Sequence, residues 1–446
     1  MALSIAGSDS SCGAGIQADL KSFSALGVYG CTVITAVTAQ NTRTVTAIEE
    51  INSDLIRKQI QSVLTDIPPD AIKIGMVYNK RVIKTICDSL QNVTAPIVLD
   101  PVMSSGSGVK LLVDNDLEYY ISNLIPLSTV ITPNLIEAQK ITGIKIKSEQ
   151  DIKECIKILK AFGARSVVIK GGHFQKNKII DFLWENDENK FMKIRNRRIK
   201  YALQIHGAGC NFSAAVTAFL AQNLKTVDAC KLANKYVHSS IRTALKLGNG
   251  LIVNDPISSM YDSSLRYNVL LKLNEALDKI CSLDGLGILI PETQSNLVFA
   301  LPYAWKLHEV AGVKGRVIKI DRQAKPASII DFNASKHVGS AVLAYMSVNI
   351  DMRSAMNIKL DDKILSICKS HFEVSNYERA EEPIDIKRKE GTSIFWGIKN
   401  ALSRNDKADI IYHLGDLGKE PMIMVFAFDP IAVFHKIKKI LKLYDK

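Results

Sequence analysis

From residue 1 to about 250, short apolar runs alternate with longer segments of 3.6-residue period. The runs fall at 3–6, 32–37, 71–74, 96–99, 129–132 and 166–169, and their length and near-continuous hydrophobicity suit strands buried on both faces. Between them lie helical patterns: Ile16 to Leu26, Asp54 to Leu64 with Ser53 as a cap, and Asp151 to Phe162 with Ile152, Ile156 and Leu159 on one face. Strand and helix in alternation predict an α/β domain, a mostly parallel sheet sandwiched by helices. In such a sheet ligands sit beyond the carboxyl ends of the strands, so the residues just after each apolar run carry the chemistry.

The pattern changes near Gly248-Asn249-Gly250, where Gly, Asn, Asp, Pro and Ser cluster as far as Ser264. This predicts a first domain over 1–250, a linker over 251–264 and a second domain over 265–446. The second domain opens on a helix from Tyr267 to Ile280 that puts Val269, Leu270, Leu273, Ala276 and Leu277 on one face. Strand-like runs follow at 315–320 and 422–426, so this half reads as mixed α/β and less regular.

Composition narrows the class. A chain of 446 residues, 47% hydrophobic and 23% charged, is globular and too long for one ordinary core. It has no apolar run of 18 residues, and Met1-Ala2-Leu3-Ser4-Ile5-Ala6-Gly7 lacks the basic start of a signal peptide. The expectation is a cytoplasmic protein with no membrane partner. Eight cysteines are scattered without a C-x-x-C pair or zinc-ligand spacing. The net charge of +12 is densest over Lys193–Lys200 and Lys436–Lys442. The second stretch places Ile437, Ile440, Leu441 and Tyr444 at helical spacing, the mark of a solvated helix face, and neither stretch carries a nucleic-acid motif. Phosphorylated small molecules, and no nucleic acid, are the expected partners.

Several tracts follow the apolar runs. Ala6-Gly7-Ser8-Asp9-Ser10-Ser11-Cys12-Gly13-Ala14-Gly15 leaves the first run and enters a helix, but it is neither G-x-G-x-x-G nor a P-loop. Asp100-Pro101 follows the fourth run, Thr132-Pro133-Asn134-Leu135-Ile136-Glu137 the fifth, and Lys170-Gly171-Gly172-His173 the sixth. Gly207-Ala208-Gly209-Cys210 then opens a helix whose Phe212, Ala215, Val216, Phe219 and Leu220 form a buried stripe. Free backbone N–H groups and the helix dipole make such a start an anion site. Taken singly, Asn134 and Glu137 are equally an ordinary helix start, Asp100 a turn residue, Lys170 a surface lysine and His173 structural.

In this order the tracts resemble the ribokinase-like family, and within it the hydroxymethylpyrimidine and phosphomethylpyrimidine kinases of thiamine synthesis. Gly13-Ala14-Gly15-Ile16-Gln17-Ala18-Asp19-Leu20-Lys21, Thr38-Ala39-Gln40-Asn41-Thr42 and Lys73-Ile74-Gly75-Met76 strengthen the likeness, which covers residues 1 to 250. It implies a three-layer α/β/α fold and ATP as phosphoryl donor. It also implies that Gln40 reads the pyrimidine edge, with Gly7 and Met76 lining the pocket. Asn134 and Glu137 would organise Mg2+ and phosphates, Asp100 would be a water-mediated partner of the metal, and Lys170 would reach the transferred phosphate. Gly207, Ala208 and Gly209 would form the anion hole. Cys210 stands where sugar kinases of the superfamily carry an aspartate base, and a thiol at a helix N-terminus is expected to have a lowered pKa and to take the alcohol's proton. Three positions depart from the pattern: Cys12 for a common glycine, Ala208 for a frequent threonine, and Asn211 for another. Kinases of this type are commonly dimers, so a homodimer is expected.

Beyond residue 265, Ile290–Leu297, Gly315-Arg316, Ser335-Lys336-His337, Arg353–Asn357, Tyr377–Pro383 and Gly418–Met422 resemble the ThiN-type thiamine-phosphate synthase domain. That resemblance implies a smaller mixed α/β domain joining the kinase's diphosphate product to thiazole phosphate, with release of pyrophosphate. Arg316 and His337 occupy the family's functional arginine and histidine positions, and Arg353, Asn357, Arg379 and Lys419 are further substrate-binding candidates. The alternative is a non-catalytic thiamine-phosphate sensor, which in regulators accompanies a DNA-reading helix-turn-helix not found here. A pyridoxal or sugar kinase with an accessory domain is opposed by Gln40, Met76 and Cys210.

Overall fold

The structure, a computed structural model, describes residues 1–172, 174, 178–186, 189–199, 205–383, 386, 392–416 and 420–445. It divides into two compact units, Met1–Tyr261 and Asp262–Lys446.

In the first unit the described residues build a nine-stranded sheet in the order β3-β2-β1-β4-β5-β6-β7-β8-β9. The strands are β1 (Ala2–Asp9), β2 (Gly30–Gln40), β3 (Val45–Glu50), β4 (Ala71–Ile74), β5 (Ile97–Leu99), β6 (Val130–Ile131), β7 (Ser166–Ile169), β8 (Lys178–Glu185) and β9 (Lys190–Arg197). From β2 to β7 neighbouring strands are parallel. Antiparallel β3 closes one edge, and antiparallel β8 and β9 the other. The apolar runs of the sequence are therefore the central strands, buried on both faces.

On one side of the sheet Phe23 of α1 (Gly15–Ala25), Phe212 of the helix Ala208–Ala221 and Ala229 of the helix Thr226–Arg242 share a core. The other side holds α2 (Ser53–Asp66), α3 (Lys80–Leu90), α4 (Leu117–Asn123), α5 (Leu135–Thr142) and α6 (Glu149–Ala161), with Ile56, Ile60, Ile83, Ile86, Ile152 and Ile156 inside. This is the three-layer α/β/α arrangement expected. The helices Ala208–Ala221 and Thr226–Arg242 are α7 and α8. The cap of α2 is Asn52, whose side chain accepts from Asp54 N, rather than Ser53, which is the helix's first residue. The sheet changes direction between β1 and β4, since the chain passes from β1 to β2 on one side and later returns to β4 on the other. The crevice at that switch point is where a doubly wound sheet holds its ligand.

Residues 251–264 carry strand β11 (Ile252–Val253), which pairs in parallel with β10 (Ile205–His206). They also carry the start of α9 (Ser258–Cys281), within which the boundary between the units falls.

In the second unit the described residues form a seven-stranded sheet and a separate hairpin. The strands are β12 (Leu297–Ala300), β13 (Val310–Val313), β14 (Val317–Ile320), β15 (Gln323–Pro326), β16 (Ile330–Phe332), β17 (Ser354–Lys359), β18 (Val374–Asn376), β19 (Ile410–His413) and β20 (Met422–Ala427). The sheet order is β16-β13-β12-β17-β20-β19-β18, antiparallel throughout except for β18 with β19; β14 and β15 form the hairpin. Helix α10 (Lys336–Met346) packs on the helix Ser393–Arg404, and α11 (Asp362–His371) on the helix Pro430–Tyr444. The face of α9 predicted to be apolar is buried at Val269, Leu273, Ala276 and Leu277. In the last helix Ile437, Ile440 and Leu441 are buried and Lys438, Lys439 and Lys442 are exposed, as a solvated face requires, but Lys436 turns inward and donates to Asp409 Oδ1 and Phe426 O.

Candidate functional site

A cavity of about 570 Å³ opens at the carboxyl ends of the central strands of the first unit. Its wall is made from the tracts that follow the apolar runs, among them Gly7, Gln40, Met76, Asp100, Asn134, Glu137, Lys170, Gly207, Ala208, Gly209 and Cys210. Every kinase residue predicted from the sequence is thus in one place.

Two register irregularities shape one end. The pairing of β1 with β2 shifts between Ala6 and Ser8, and that of β2 with β3 shifts between Ala39 and Gln40. Bulges of this kind re-aim side chains, and here they lie at Gly7 and Gln40. A Cβ on Gly7 would stand 2.7 Å from Met76 Sδ, so glycine is what lets β1 and Met76 meet. The tract after β1 is tied by Asp9, which accepts from Ser11 N, Ser11 Oγ and Ala14 N, each at 2.8 Å. Cys12, where the family pattern has glycine, takes φ +57°, the left-handed conformation that glycine adopts freely.

At the other end Lys170 Nζ donates to Asp100 Oδ1 at 2.8 Å, and Ser213 Oγ donates to Asp100 Oδ2 at 3.0 Å. Asn134 and Glu137 form a complete capping box at the start of α5. The plain reading of that motif is therefore correct, and it coexists with a place in the site. Glu137 is buried, and burial first, then nearby Asp100, push its carboxyl up to about 7, against the pull of Lys170. Two carboxylates beside one lysine form an oxygen-donor set suited to a hard divalent cation, which would relieve their repulsion. Among the described residues no group of three or more His, Cys, Asp or Glu is placed to ligate a metal without help.

Helix α7 starts at Gly207, which has φ +86° and whose Cβ would lie 1.8 Å from Gly13 O; only glycine fits. The first turn, Ala208-Gly209-Cys210, faces Lys170: a Cβ on Gly209 would be 3.2 Å from Lys170 Nζ. Asn211 faces away from the cavity, buried and accepting from Ser22 Oγ at 3.1 Å, so its replacement of a threonine does not change the cavity wall.

The expected lowering of the Cys210 pKa is not what the structure shows. Burial is the largest influence and pushes the thiol up to about 11; Lys73 and Lys170 pull it down, while Asp100 and Asp19 push it up. The helix start is present, but desolvation outweighs it. Lys73 exerts the stronger of the two downward pulls. It is fully buried, and its Nζ donates to Asp19 Oδ1 and Oδ2 at 2.6 and 2.7 Å, while Ser4 Oγ donates to Asp19 at 2.6 Å. Burial alone would lower the Lys73 pKa, yet Asp19, aided by Cys210 and Asp100, raises it to about 12, so the ammonium stays charged beneath the site.

Lys73, Asp19, Asp9 and His206 are cavity or sub-cavity groups to which sequence reasoning gave no role. Lys73 left a signal, because a charge inside the apolar run Ala71-Ile72-Lys73-Ile74 of a central parallel strand demands a buried partner. Asp19 left one too, lying on the buried face of α1 with Ile16 and Phe23. His206 left none. Arg198, from the first basic stretch, lines the cavity and donates to Gly172 O.

In the second unit the predicted residues divide. Asn357 Nδ2 donates to Gln294 O at 3.0 Å and its Oδ1 accepts from Asn296 N at 2.7 Å, while Asn296 bridges to Val313 N and O. Arg316, exposed and at φ +75°, donates to Thr293 O, and Glu420 accepts from Thr293 N and Oγ1. Ser335, which precedes α10, is reached from Gly312, whose Cβ would stand 3.4 Å from Ser335 Cβ and 3.1 Å from Asn296 Oδ1. The first turn of α10, with exposed His337, therefore starts over this same polar network. Arg379 follows β18 beyond Asn376, at the sheet end where His413 pairs with Met422 and Met422 with Lys359. It is buried beside Tyr377, and Arg379 Nε and both Glu382 carboxyl oxygens are buried without a hydrogen-bond partner among the described residues.

Arg353 is not brought there. It precedes β17, stacks over Phe299 at 4.5 Å and donates through Nε and Nη2 to Ala300 O at 3.0 and 2.8 Å. Four residues of strand, about 13 Å, separate it from Asn357. Lys419 and His173 lie outside the described residues.

The comparisons agree with this geometry. The family model of phosphomethylpyrimidine kinase matches residues 9–255. The chain belongs to the phosphomethylpyrimidine kinase family. Behind the kinase domain, the model of thiamine-phosphate synthase ThiN matches residues 272–439. A bifunctional thiamine biosynthesis protein ThiDN of Methanocaldococcus jannaschii is 31% identical over 449 residues, covering 99% of each chain. A hydroxymethylpyrimidine/phosphomethylpyrimidine kinase of Rhizobium meliloti is 42% identical over 253 residues, 56% of this chain and 94% of that one. Among solved structures, a Staphylococcus aureus pyridoxal kinase in complex with AMP-PCP is 34% identical with a TM-score of 0.53, covering 58% of this chain and 93% of that one. This phosphomethylpyrimidine kinase family member is a bifunctional transferase of thiamine biosynthesis, a ribokinase-like kinase domain followed by a ThiN-type synthase domain. Among the described residues no helix is long and apolar enough to cross a membrane.

Proposed function

We propose that the first unit transfers the γ-phosphate of ATP to hydroxymethylpyrimidine and then to its monophosphate, with Gln40, Gly7 and Met76 holding the ring. The observation that carries this reading is the convergence of Gln40, Cys210, Lys170, Asp100 and Glu137 on one cavity. The substrate oxygen forms a bond to the γ-phosphorus, the bond to the bridging oxygen breaks, and ADP leaves. Negative charge on the phosphoryl oxygens is offset by Lys170 and by the N–H groups of Gly207, Ala208 and Gly209. Asp100 and Glu137 would hold Mg2+, directly or through water, and the ion supplies further charge neutralisation when bound. Cys210 accepts the alcohol's proton as thiolate. With a thiol near pH 11 in the free site, only a small fraction is ionised at neutral pH, and the rate should climb with pH.

The second unit joins the diphosphate to thiazole phosphate. The bond from the pyrimidine methylene to the pyrophosphate oxygen breaks, and a bond from the methylene to the thiazole nitrogen forms. Arg316 and His337 would receive the phosphate and pyrophosphate charge, with Asn357, Arg379 and Lys419 as further contacts. A homodimer in the cytoplasm is part of the same proposal.

The test is to incubate the protein with hydroxymethylpyrimidine, thiazole phosphate and MgATP and to follow each pyrimidine phosphate and thiamine phosphate. Thiamine phosphate is the expected end product. Diphosphate that accumulates without it would overturn the synthase assignment, and an absence of pyrimidine phosphorylation would overturn the kinase assignment.

A further inference from the structure

The side-chain amide of Gln40 lies between two polar neighbours. Its Nε2 is 3.1 Å from His206 Nε2, and its Oε1 is 3.4 Å from Thr38 Oγ1. Neither neighbour can complement the amide in that sense. Thr38 has one hydroxyl proton and gives it to Ser8 O at 2.9 Å, which leaves its oxygen only as an acceptor. His206 Nε2 is also 3.0 Å from Asp9 Oδ2. Burial works to raise the Asp9 pKa, but His206, Ser11 and Ala14 outweigh it and hold the carboxyl below its ordinary range. Asp9 is then an acceptor alone, and His206 Nε2 must carry the proton that it receives. A Gln40 nitrogen facing that nitrogen would set N–H against N–H. A half-turn of the amide removes both conflicts: the nitrogen then donates to Thr38, and the oxygen shares with Asp9, in a three-centre bond, the single proton of His206 Nε2.

We propose that His206 and Thr38 are positioning residues that lock the Gln40 amide in this turned sense and so decide which way round an aminopyrimidine enters the site; this rests on the reading that Gln40 meets the pyrimidine edge. With its oxygen beside His206 and its nitrogen beside Thr38, Gln40 offers an acceptor and a donor in a fixed order. The exocyclic amino group lies on the His206 side and the ring nitrogen on the Thr38 side. In this substrate the hydroxymethyl group sits on the carbon next to the one bearing the amino group. The order of donor and acceptor therefore also decides where the hydroxyl points. His206 is itself held, being buried, with Gly13 and Gly106 so close that a Cβ there would stand 2.3 Å from Cδ2 and 3.3 Å from Nδ1. The ring has no room to swing away from Gln40.

The experiment compares hydroxymethylpyrimidine with its analogue lacking the exocyclic amino group, in wild type and in His206→Leu, His206→Gln, Thr38→Val and Gln40→Ala. Wild type should prefer the amino substrate. In His206→Leu and Thr38→Val that preference in kcat/KM should shrink roughly tenfold, the worth of one hydrogen bond, while KM for ATP moves less than about twofold. His206→Gln, which keeps an N–H donor, should recover part of the preference. Variants that slow both substrates equally would overturn the proposal, since a merely structural role cannot sense the amino group. If His206→Leu does not fold, Thr38→Val, close in shape to the native residue, decides the matter alone. An unchanged preference in Gln40→Ala would instead remove the reading of Gln40, and the proposal with it, which is a separable failure.

Discussion

The two units place charge on their substrates in different ways. In the first, Asp100, Glu137 and Lys73 are buried and Lys170 partly so; Lys170 pairs with Asp100 and Lys73 with Asp19, and Cys210 lies among them. In the second, Arg316 and His337 are exposed, and what is buried is a scaffold of amides, Asn296 and Asn357, that fixes the loops carrying them. Burial strengthens every electrostatic interaction and so suits a phosphoryl transfer that must exclude water. It also makes each charge dependent on its neighbours. An exposed arginine acts more nearly alone.

The largest effect expected is at Cys210. Cys210→Ala should lower kcat for pyrimidine phosphorylation by about 10²- to 10⁴-fold, the range of a lost general base, with KM for ATP nearly unchanged. Initial rates at saturating ATP would show it, and an undiminished kcat would take Cys210 out of the chemistry. The pH profile sharpens the same point. Because the thiol lies up near 11 and the ionised form is the active one, the wild-type rate should rise with pH across the range from 7 to 10, about tenfold per unit. Cys210→Asp, whose carboxyl ionises well below the thiol, should move the rise to lower pH and flatten its upper part even if its rate is lower.

Next come Arg316 and His337. Either alanine variant should cost on the order of 100-fold in thiamine phosphate formation from the diphosphate and thiazole phosphate, while pyrimidine phosphorylation continues at the parent rate. Equal loss of both activities would mean damage to the fold. The comparison of the two units rests on this separation, because a residue inside the interdependent kinase cluster should not give so clean a result.

How much of this was legible in the sequence follows from the same contrast. The kinase site could be read because a parallel sheet ends each apolar run at the same edge, so Asp100, Asn134 and Lys170 are placed by topology before any side chain is considered. What could not be read is the interior beneath them. The Cys210 helix start was visible, but not that burial would push the thiol up. His206 gains its place only because β10 brings it against Asp9 and Gln40, which lie 197 and 166 residues away in the chain. In the second unit the antiparallel sheet sends alternate strands to opposite ends, and the motif around Arg353–Asn357 lies along one strand. Its two ends face different surroundings, and no spacing rule says which end is the site.

Lys73 tests the interdependence as stability. Lys73→Met would leave Asp19 ionised or protonated without its partner in a fully buried position, and should destabilise the first unit by about 3–5 kcal/mol in urea unfolding. Lys73→Met combined with Asp19→Leu should recover much of that, because the cost of the single change is the orphaned carboxylate. A double variant no more stable than the single would mean that the pair is not the source of the loss.

The smallest effect is expected at Arg353, and it separates an arginine of the sheet's far end from those of the site. Arg353 spends two donors on Ala300 O and stacks over Phe299, contacts that tie the start of β17 to the end of β12. Burial also holds its pKa below the ordinary arginine value, the mark of a guanidinium engaged with protein. Arg353→Ala should therefore cost about 1–2 kcal/mol of stability and change KM for thiazole phosphate by less than about twofold. A rise in KM comparable to that of Arg316→Ala would place Arg353 against the substrate, and the division of the second unit's polar residues between two sheet ends would have to be redrawn.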